Sequence, residues 1–149
     1  SRSRQDYQTP DEFMRSIMRR LKISHFTWDL AADEDNTQAG CWYSEADDSL
    51  TKKWHTHDGW SWLNPPFGHV AKWVQKAAEE SKLGAYIAML VPASVGANWW
   101  RDWVDRQAYV LLLNGRLTFV GETAPYTKDS ACLLYTPIGC KGYEVWSWR

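Results

Sequence analysis

The stretch Trp60–Val74, WSWLNPPFGHVAKWV, carries the signals that decide the fold. A short apolar run ends at Asn64, two prolines and an aromatic ring follow, and an amphipathic pattern begins at Val70. Consecutive prolines cannot continue a strand because they donate no backbone hydrogen bonds. The stretch therefore predicts a strand over residues 60–63, a rigid turn, and a helix over residues 70–81.

The flanking sequence repeats this alternation of apolar runs and amphipathic segments. A helix is predicted after Pro10, where Phe13, Ile17 and Leu21 recur every four residues, and a polar, acidic loop is predicted up to Asp48. The other predicted elements are a helix over Ala97–Arg106 and strands over His25–Ala31, Ala85–Val91, Tyr109–Leu113, Leu117–Val120, Ser130–Tyr135 and Tyr143–Trp148. This order predicts an α/β fold with a mostly parallel central sheet and helices on both faces. The Asn114-Gly115 turn predicts a late antiparallel hairpin.

Length and charge narrow the class of protein. The 149 residues predict a single domain, 1–149. A net charge of -1 excludes a protein that is held on nucleic acid by a strong overall positive charge. The charges are unevenly spread, because residues 23–50 carry seven acids and no Lys or Arg, whereas both flanking regions are mildly basic. Such an acidic block suits a cationic ligand.

The cysteines and the hydropathy pattern predict an intracellular protein. Three cysteines without close spacing, Cys41, Cys132 and Cys140, favour reduced thiols, and they are interpreted as small buried residues. No apolar run is long enough to span a membrane, and the N-terminal residues show no signal-peptide core. We therefore expect a cytoplasmic protein.

Two loops lie where an α/β sheet binds its ligands, at the carboxyl ends of strands. They are Asp29–Asp33, after the first predicted strand, and Asn64–Phe67. Neither G-x-G-x-x-G nor G-x-x-x-x-G-K-[ST] is present, so the ligand is not expected to be held mainly by its phosphates.

The residue types of Asn64–Phe67 suit a flat ligand that bears an amino group. Asn64 offers a side-chain carbonyl oxygen, Pro65 offers a backbone carbonyl, and the prolines hold both acceptors in place. Phe67 offers a ring on which a planar group can stack. Two acceptors on the amine hydrogens of adenine would localise the nitrogen lone pair for attack on a nearby electrophilic methyl group. The alternative is that a polar residue before Pro-Pro simply forms a turn.

At this point the sequence resembles the phage and prophage DNA N6-adenine methyltransferases, the Dam-like group. Asn64-Pro65-Pro66-Phe67 matches the catalytic N/D-P-P-Y/F motif of that family. Asp-Leu-Ala-Ala-Asp replaces the glycine-rich cofactor loop of many relatives. Four further segments resemble family segments: Tyr7–Pro10, Asp29–Asp33, Asp47–Leu50 and Gly115–Phe119.

The resemblance implies a Rossmann-like methyltransferase that uses S-adenosylmethionine and acts on a flipped adenine of DNA. The implied catalytic residues are Asn64, Pro65, Pro66 and Phe67. The implied cofactor-binding residues are Tyr7, Thr9, Pro10, Asp29, Ala31, Asp33, Glu45, Asp48, Ser49 and Leu50, with Glu45 or Asp33 on the ribose. The implied contacts to the base or to DNA are Phe67, Arg116 and Phe119.

The same resemblance implies a bacterial host cell as the setting. The sequence departs from the family in its short spacings, with 30 residues between Asp33 and Asn64 and 30 after Phe119, so we expect a minimal domain without a separate target-recognition domain. Sequence choice would then depend on short loops, on a partner or on a homo-oligomer.

Several alternatives remain open at this stage. The same motif occurs in enzymes that methylate an RNA base or a protein glutamine, since each substrate presents a flat amino group. A second alternative is an inactive or non-catalytic DNA-binding protein. A metal site at Cys41, His55 and His57 is disfavoured, because no further ligands follow at a recognisable spacing, and no metal is predicted.

Overall fold

The computed structural model describes residues 7–149. Residues 1–6, part of the basic N-terminal region noted above, lie outside the described residues. Residues 7–149 contain the α-helices α1 (Asp11–Leu21), α2 (Val70–Lys82) and α3 (Asn98–Trp103). The strands in the same range are β1 (Phe26–Asp29), β2 (Ala39–Trp42), β3 (Trp60–Leu63), β4 (Tyr86–Pro92), β5 (Tyr109–Asn114), β6 (Ser130–Tyr135) and β7 (Gly142–Ser147).

The strands form one mixed sheet in the order β2-β1-β3-β4-β6-β5-β7. Strand β6 runs antiparallel to both of its neighbours, β4 and β5, whereas the other neighbouring pairs are parallel. The chain leaves β1 in one direction to form β2 and then returns on the other side of β1 to form β3. The sheet therefore has a topological switch point between β1 and β3, where open α/β sheets form a ligand crevice.

Apolar residues alternate between the two faces of the central strands, so each face has its own core. On β4, Met89 packs in the core beneath α2 and α3, whereas Leu90 packs with α1 on the opposite face. Helix α2 buries Val74 and Ala77 at the spacing of one helical face. Helices therefore cover both faces, as the sequence predicted.

Helix α1 is attached to the last strand of the chain. Ser16 Oγ donates a hydrogen bond to the Trp148 carbonyl, and Arg20 forms an ion pair with Glu144. The Trp148 ring packs edge-on against Phe13 at 5.3 Å between centroids, and its indole N–H donates to the Gly115 carbonyl at 2.8 Å. Helix α1 is therefore held in place by β7 and by Trp148, the residue after it.

The predicted hairpin of residues 109–113 and 117–120 is wrong. Residues 117–120 form no strand, because β6 and β7 already pair with the two edges of β5. The segment instead packs along the N-terminal residues, and Val120 N–H donates to the Gln8 carbonyl at 3.0 Å. The antiparallel partner of β5 is β6, which follows after the long connection 115–129.

Three larger differences from the sequence prediction concern β2, β1 and α3, whereas the bounds of α2, β4, β5 and β7 differ by one residue. Strand β2 was missed inside the predicted acidic loop, because Ala-Gly-Cys-Trp has neither an apolar run nor alternation. Strand β1 is shorter than His25–Ala31, since the chain turns into a loop after Asp29. Helix α3 ends before Arg106, which adopts a left-handed conformation with φ 60.

The interpretation of all three cysteines as buried is also wrong, since Cys41 and Cys140 are exposed and only Cys132 is buried. Burial raises the pKa of the Cys132 thiol to about 12, which keeps it protonated and unreactive. Within residues 7–149, no helix combines the length and the hydrophobicity needed to cross a membrane.

A buried carboxylate on α2 anchors the segment that precedes β3. Glu80 is 7% exposed, and its Oε1 accepts hydrogen bonds from the backbone N–H groups of Trp54 and His55. The same oxygen lies 3.0 Å from His55 Nδ1. Burial alone would raise the pKa of Glu80, but the hydrogen bonds with His55 and Trp54 and the charge of Lys76 together outweigh it and lower the pKa.

Replacement of Glu80 by alanine is expected to lower the free energy of unfolding by about 2–4 kcal/mol, because two backbone N–H groups lose their acceptor. Glu79→Ala, at the exposed neighbouring position on α2, is expected to change it by less than about 0.5 kcal/mol. Urea denaturation of both variants measures the difference. Equal stability of the two variants would contradict this role for Glu80.

Candidate active site

The two loops singled out in the sequence lie side by side at the switch point. Asp29 at the end of β1 is in register with Trp62 of β3, and Leu30 N–H donates to the Trp62 carbonyl at 2.9 Å. The next residues along each strand are therefore Asp29–Asp33 on one side and Asn64–Phe67 on the other. Both loops open at the same edge of the sheet.

The amide of Asn64 is held in one orientation by the segment before α1. Its nitrogen donates hydrogen bonds to the Tyr7 carbonyl and, at 3.0 Å, to the hydroxyl of Thr9, which is 2% exposed. A carbonyl oxygen has no hydrogen to donate, so the amide nitrogen must face Tyr7. The Thr-Pro segment thus contacts Asn64, and its direct contact with a cofactor stays a prediction.

The other end of this amide has no partner. Asn64 Oδ1 is buried and accepts no hydrogen bond from residues 7–149. Leaving a buried acceptor unpaired costs about 1–3 kcal/mol, and such atoms in native proteins call for an explanation. Pro65, the next residue, is buried, and the chain turns there into α2. An acceptor held rigidly and left unsatisfied is suited to a ligand that brings an N–H donor.

Four aromatic rings from distant parts of the chain form a cluster that includes the last residue of the Asn64–Phe67 turn: Tyr7, Phe67, Phe119 and Tyr126. The centroid of Phe67 lies 5.5 Å from Tyr7, 6.2 Å from Phe119 and 5.7 Å from Tyr126. Phe119 is 2% exposed and belongs to the core, whereas Phe67 is only partly buried. Phe67 therefore has a supported ring with part of its surface accessible.

Asp29 shapes the loop on the β1 side. Its carboxylate accepts N–H hydrogen bonds from Ala31 at 3.2 Å and from Gln38 at 2.9 Å, so it joins the end of β1 to the approach of β2. Burial raises its pKa to about 7, against the effect of these two hydrogen bonds, and the charge of Asp33 adds to the rise. Both oxygens are engaged and the residue is 3% exposed. Its direct contact with a cofactor stays a prediction.

The remaining acidic residues that were predicted to bind the cofactor differ in whether their carboxylates already accept hydrogen bonds. The Asp33 carboxylate accepts hydrogen bonds from Asp35, at 2.9 Å, and from Asn36, so it closes its own loop. In contrast, the side chains of Glu45 and Asp48 are exposed, and neither accepts a hydrogen bond within residues 7–149. Of the two predicted ribose ligands, Glu45 is therefore the one with free acceptors.

Ser49 and Leu50 have packing contacts. Ser49 is buried and accepts the indole N–H of Trp54 on both its carbonyl and its hydroxyl, at 3.1 Å each. Leu50 packs at the margin of the core beneath α2. Direct contact of either residue with a cofactor stays a prediction.

Several residues considered for DNA or metal binding already form ion pairs or ring contacts with other side chains. Arg116 is exposed and pairs with Asp129 at 3.1 Å, so its charge is balanced locally. His55 pairs with Glu80, and His57 stacks on Trp28 with centroids 4.0 Å apart. Burial lowers the pKa of His57. Within residues 7–149, no three His, Cys, Asp or Glu side chains are grouped as metal ligands would be.

Sequence reasoning missed two aromatic residues of the site. Tyr126 is an isolated tyrosine in a polar loop, and no spacing indicates that it joins Phe67. Tyr43 contacts Trp28 at 4.6 Å between centroids, and its backbone N–H donates to the Asp29 carbonyl at 3.1 Å. Both become visible only once the sheet has brought the loops together.

The fold and site define an α/β protein whose Asn-Pro-Pro-Phe turn presents an unsatisfied amide oxygen at the switch point of a mixed sheet. Comparison with known proteins identifies the family. The chain belongs to the DNA N-6-adenine-methyltransferase (Dam) family, whose model matches residues 1–132.

Two curated relatives are phage proteins, and both are named DNA N-6-adenine-methyltransferase. The protein of Escherichia phage T1 is 29% identical over 112 residues, which is 75% of this chain and 46% of that protein. The protein of Haemophilus phage HP1 is 26% identical over 119 residues, 75% of this chain and 68% of that protein. The chain thus spans about half the length of the T1 protein and about two thirds of the HP1 protein.

The raised pKa of Asp29 predicts a pH-dependent stability. An unfolded carboxyl loses its proton near pH 4, whereas the folded one retains it up to about pH 7. Because the folded state binds more protons in this window, the stability contribution is present at low pH and is lost as the pH rises. Relative to Asp29→Asn, the wild type is expected to lose up to about 4 kcal/mol of unfolding free energy between about pH 4 and pH 7.

Urea denaturation across this range measures the loss, and carboxyl NMR of Asp29 measures the midpoint directly. Asp35→Asn, at an exposed position in the same loop, serves as the control and should parallel the wild type. An NMR midpoint near pH 4 for Asp29 would show that burial does not dominate its titration.

Proposed function

We propose that this protein transfers the methyl group of S-adenosylmethionine to the exocyclic N6 amine of adenine in DNA. The observation that carries the proposal is the buried, unpaired Oδ1 of Asn64, which belongs to the Asn-Pro-Pro-Phe segment that resembles the catalytic motif of the family. The proposal gives this oxygen its missing donor, one hydrogen of the adenine amine.

Asn64 and Pro65 act on the amine by accepting its hydrogens. The orientation of the Asn64 amide is already fixed by Tyr7 and Thr9, so little reorganisation is needed when the base arrives. Acceptors on both hydrogens draw the nitrogen toward a tetrahedral geometry, which frees its lone pair. They also stabilise the positive charge that develops on the nitrogen during attack. Pro66 keeps the turn rigid.

Phe67 supports the base by stacking. Its ring is held by Tyr7, Phe119 and Tyr126, so it offers a face without having to change its own rotamer. Base stacking on an aromatic ring is worth about 1–3 kcal/mol. In duplex DNA the amine is paired, so the base has to leave the stack to reach Asn64.

The β1 side of the switch point fits S-adenosylmethionine, which supplies an electrophilic methyl group when it is bound. The free carboxylate of Glu45 suits the two hydroxyls of a ribose, whereas Asp33 is engaged in its own loop. The backbone of the Asp29–Asp33 loop would hold the methionine part. We place this chemistry in a single domain with a Rossmann-like arrangement, in the bacterial cell that a phage infects.

The family match favours DNA over the alternatives of an RNA base or a protein glutamine. The unpaired acceptor in an intact motif favours an enzyme over a non-catalytic DNA-binding protein. Recognition of a particular DNA sequence would come from the connection 115–129, from a partner or from a second copy of the chain.

Asn64→Ala is expected to reduce methyl transfer at least about 100-fold, the loss typical of removing one preorganised hydrogen-bonding group from a reaction centre. The assay follows labelled S-adenosylmethionine into unmethylated DNA and identifies N6-methyladenine after digestion to nucleosides. Asn114→Ala, which removes an exposed amide at the end of β5, should retain activity. Methyl transfer by Asn64→Ala at the wild-type rate would refute the proposed role of Asn64 as an acceptor for the adenine amine.

Phe67→Tyr is expected to keep most of the activity because it preserves the ring, whereas Phe67→Ala should lower kcat/KM for DNA by about 5- to 150-fold through lost stacking. Steady-state kinetics on DNA measures both variants. Binding of S-adenosylmethionine to Phe67→Ala, measured by calorimetry, reports whether the rest of the site is intact. If Phe67→Tyr lowers kcat/KM as much as Phe67→Ala does, stacking on the ring face does not explain the effect of Phe67.

A further inference from the structure

A cleft opens on the side of Phe67 that faces β4 and β6. Its volume is about 360 Å³, within the range of ligand sites. The turn after β3, the start of α2, the loop after β4 and the connection 115–129 all contribute to its wall. The lining residues are Phe67, Gly68, His69, Val70, Ala71, Lys72, Pro92, Ser94, Trp99, Tyr126 and Lys128.

The charges around this cleft have one sign. Lys72 and Lys128 line it, and no Asp or Glu does. Both lysines are exposed, and neither forms an ion pair within residues 7–149. In a protein of net charge -1, two free cations facing an acid-free cleft mark a local site for an anion.

The same cleft contains features that suit a nucleic-acid strand. Helix α2 begins at its wall without a capping side chain, and the positive end of the helix dipole there attracts a phosphate. Trp99 is partly buried and adds an aromatic surface, whereas its neighbour Trp100 is buried in the core. Cationic groups combined with aromatic rings are the usual elements of single-strand binding.

The sheet order places this cleft opposite the cofactor side. Strand β3 lies between β1 and β4, so the Asn64–Phe67 turn separates the Asp29–Asp33 loop from the cleft. In a direct methyl transfer, the donor sulfur and the acceptor nitrogen lie on opposite sides of the methyl carbon that passes between them. Because Phe67 borders both the base site and the cleft, a chain bound in the cleft would continue directly into the base at Asn64.

We infer that the DNA strand carrying the target adenine runs through this cleft, with the phosphates next to that adenine held by Lys72 and Lys128. The inference rests on the proposed function. It also assigns the cationic contact on the connection 115–129 to Lys128, since the charge of Arg116 is already paired with Asp129. These contacts are to the backbone, so they act equally on every sequence.

The test measures binding of a fluorescent single-stranded DNA oligonucleotide and of its duplex between about 50 and 200 mM salt. The proteins tested are the wild type, Lys72→Gln, Lys128→Gln and the double variant of these two lysines. Lys82→Gln, at the far end of α2, is the charge-matched control. Each cleft variant is expected to reduce the salt slope by about 0.7–0.9, and the double variant by about 1.4–1.8. The control should keep the wild-type slope.

Kinetics separates this inference from the proposed function. The double variant is expected to raise KM for DNA at least about tenfold at low salt, with kcat at saturating DNA and binding of S-adenosylmethionine unchanged. If the wild type transfers methyl groups and the double variant has the same salt slope and the same KM for DNA as the wild type, the cleft assignment is overturned and the proposed function is not affected. Lysine-dependent binding by a wild type that transfers no methyl group would support the cleft and refute the proposed reaction. An equal loss in Lys82→Gln would show that only overall charge matters.

Discussion

The orientation of one amide group decides which atom the proposed site presents to a ligand. Tyr7 and Thr9 occupy the nitrogen of Asn64 and leave its oxygen buried and unpaired. An asparagine that was free to rotate would satisfy its oxygen with a neighbouring donor or with water. The short segment before α1 prevents this, so the protein carries the cost of an unsatisfied acceptor until a donor arrives. Preorganisation of this kind exchanges stability of the free protein for stabilisation of the reacting state.

The sheet explains why the other parts of the site assemble around this amide. The switch point brings the loop after β1 and the turn after β3 to the same edge, while α2 leads the chain away to β4. The result is a division of the site, with the exposed carboxylate of Glu45 after β2 and two lysines, Lys72 and Lys128, lining the cleft toward β4 and β6.

The features that were predictable from sequence are local ones. The apolar run, the two prolines and the amphipathic helix of residues 60–81 each carry their own signal, and the structure has this unit as predicted. The features that were missed depend on partners far along the chain. The segment 117–120 has a strand-like sequence, but β5 has no free edge for it. Likewise, Arg116 looks like a free cation until Asp129 is placed beside it, and nothing in the sequence links Lys72 to Lys128.

The attachment of α1 to Trp148 sets the order in which the reaction centre can mature. Tyr7 and Thr9 reach Asn64 from the segment that leads into α1, and α1 is fixed by residues at the far end of the sequence. During synthesis the Asn64 amide and its sheet neighbours therefore exist well before the clamp on that amide is complete. Contacts of such high sequence separation have to overcome a large loop-closure entropy. The clamp on Asn64 should consequently be complete only after the ribosome has released Trp148, however early the βαβ unit around β3 and β4 has formed.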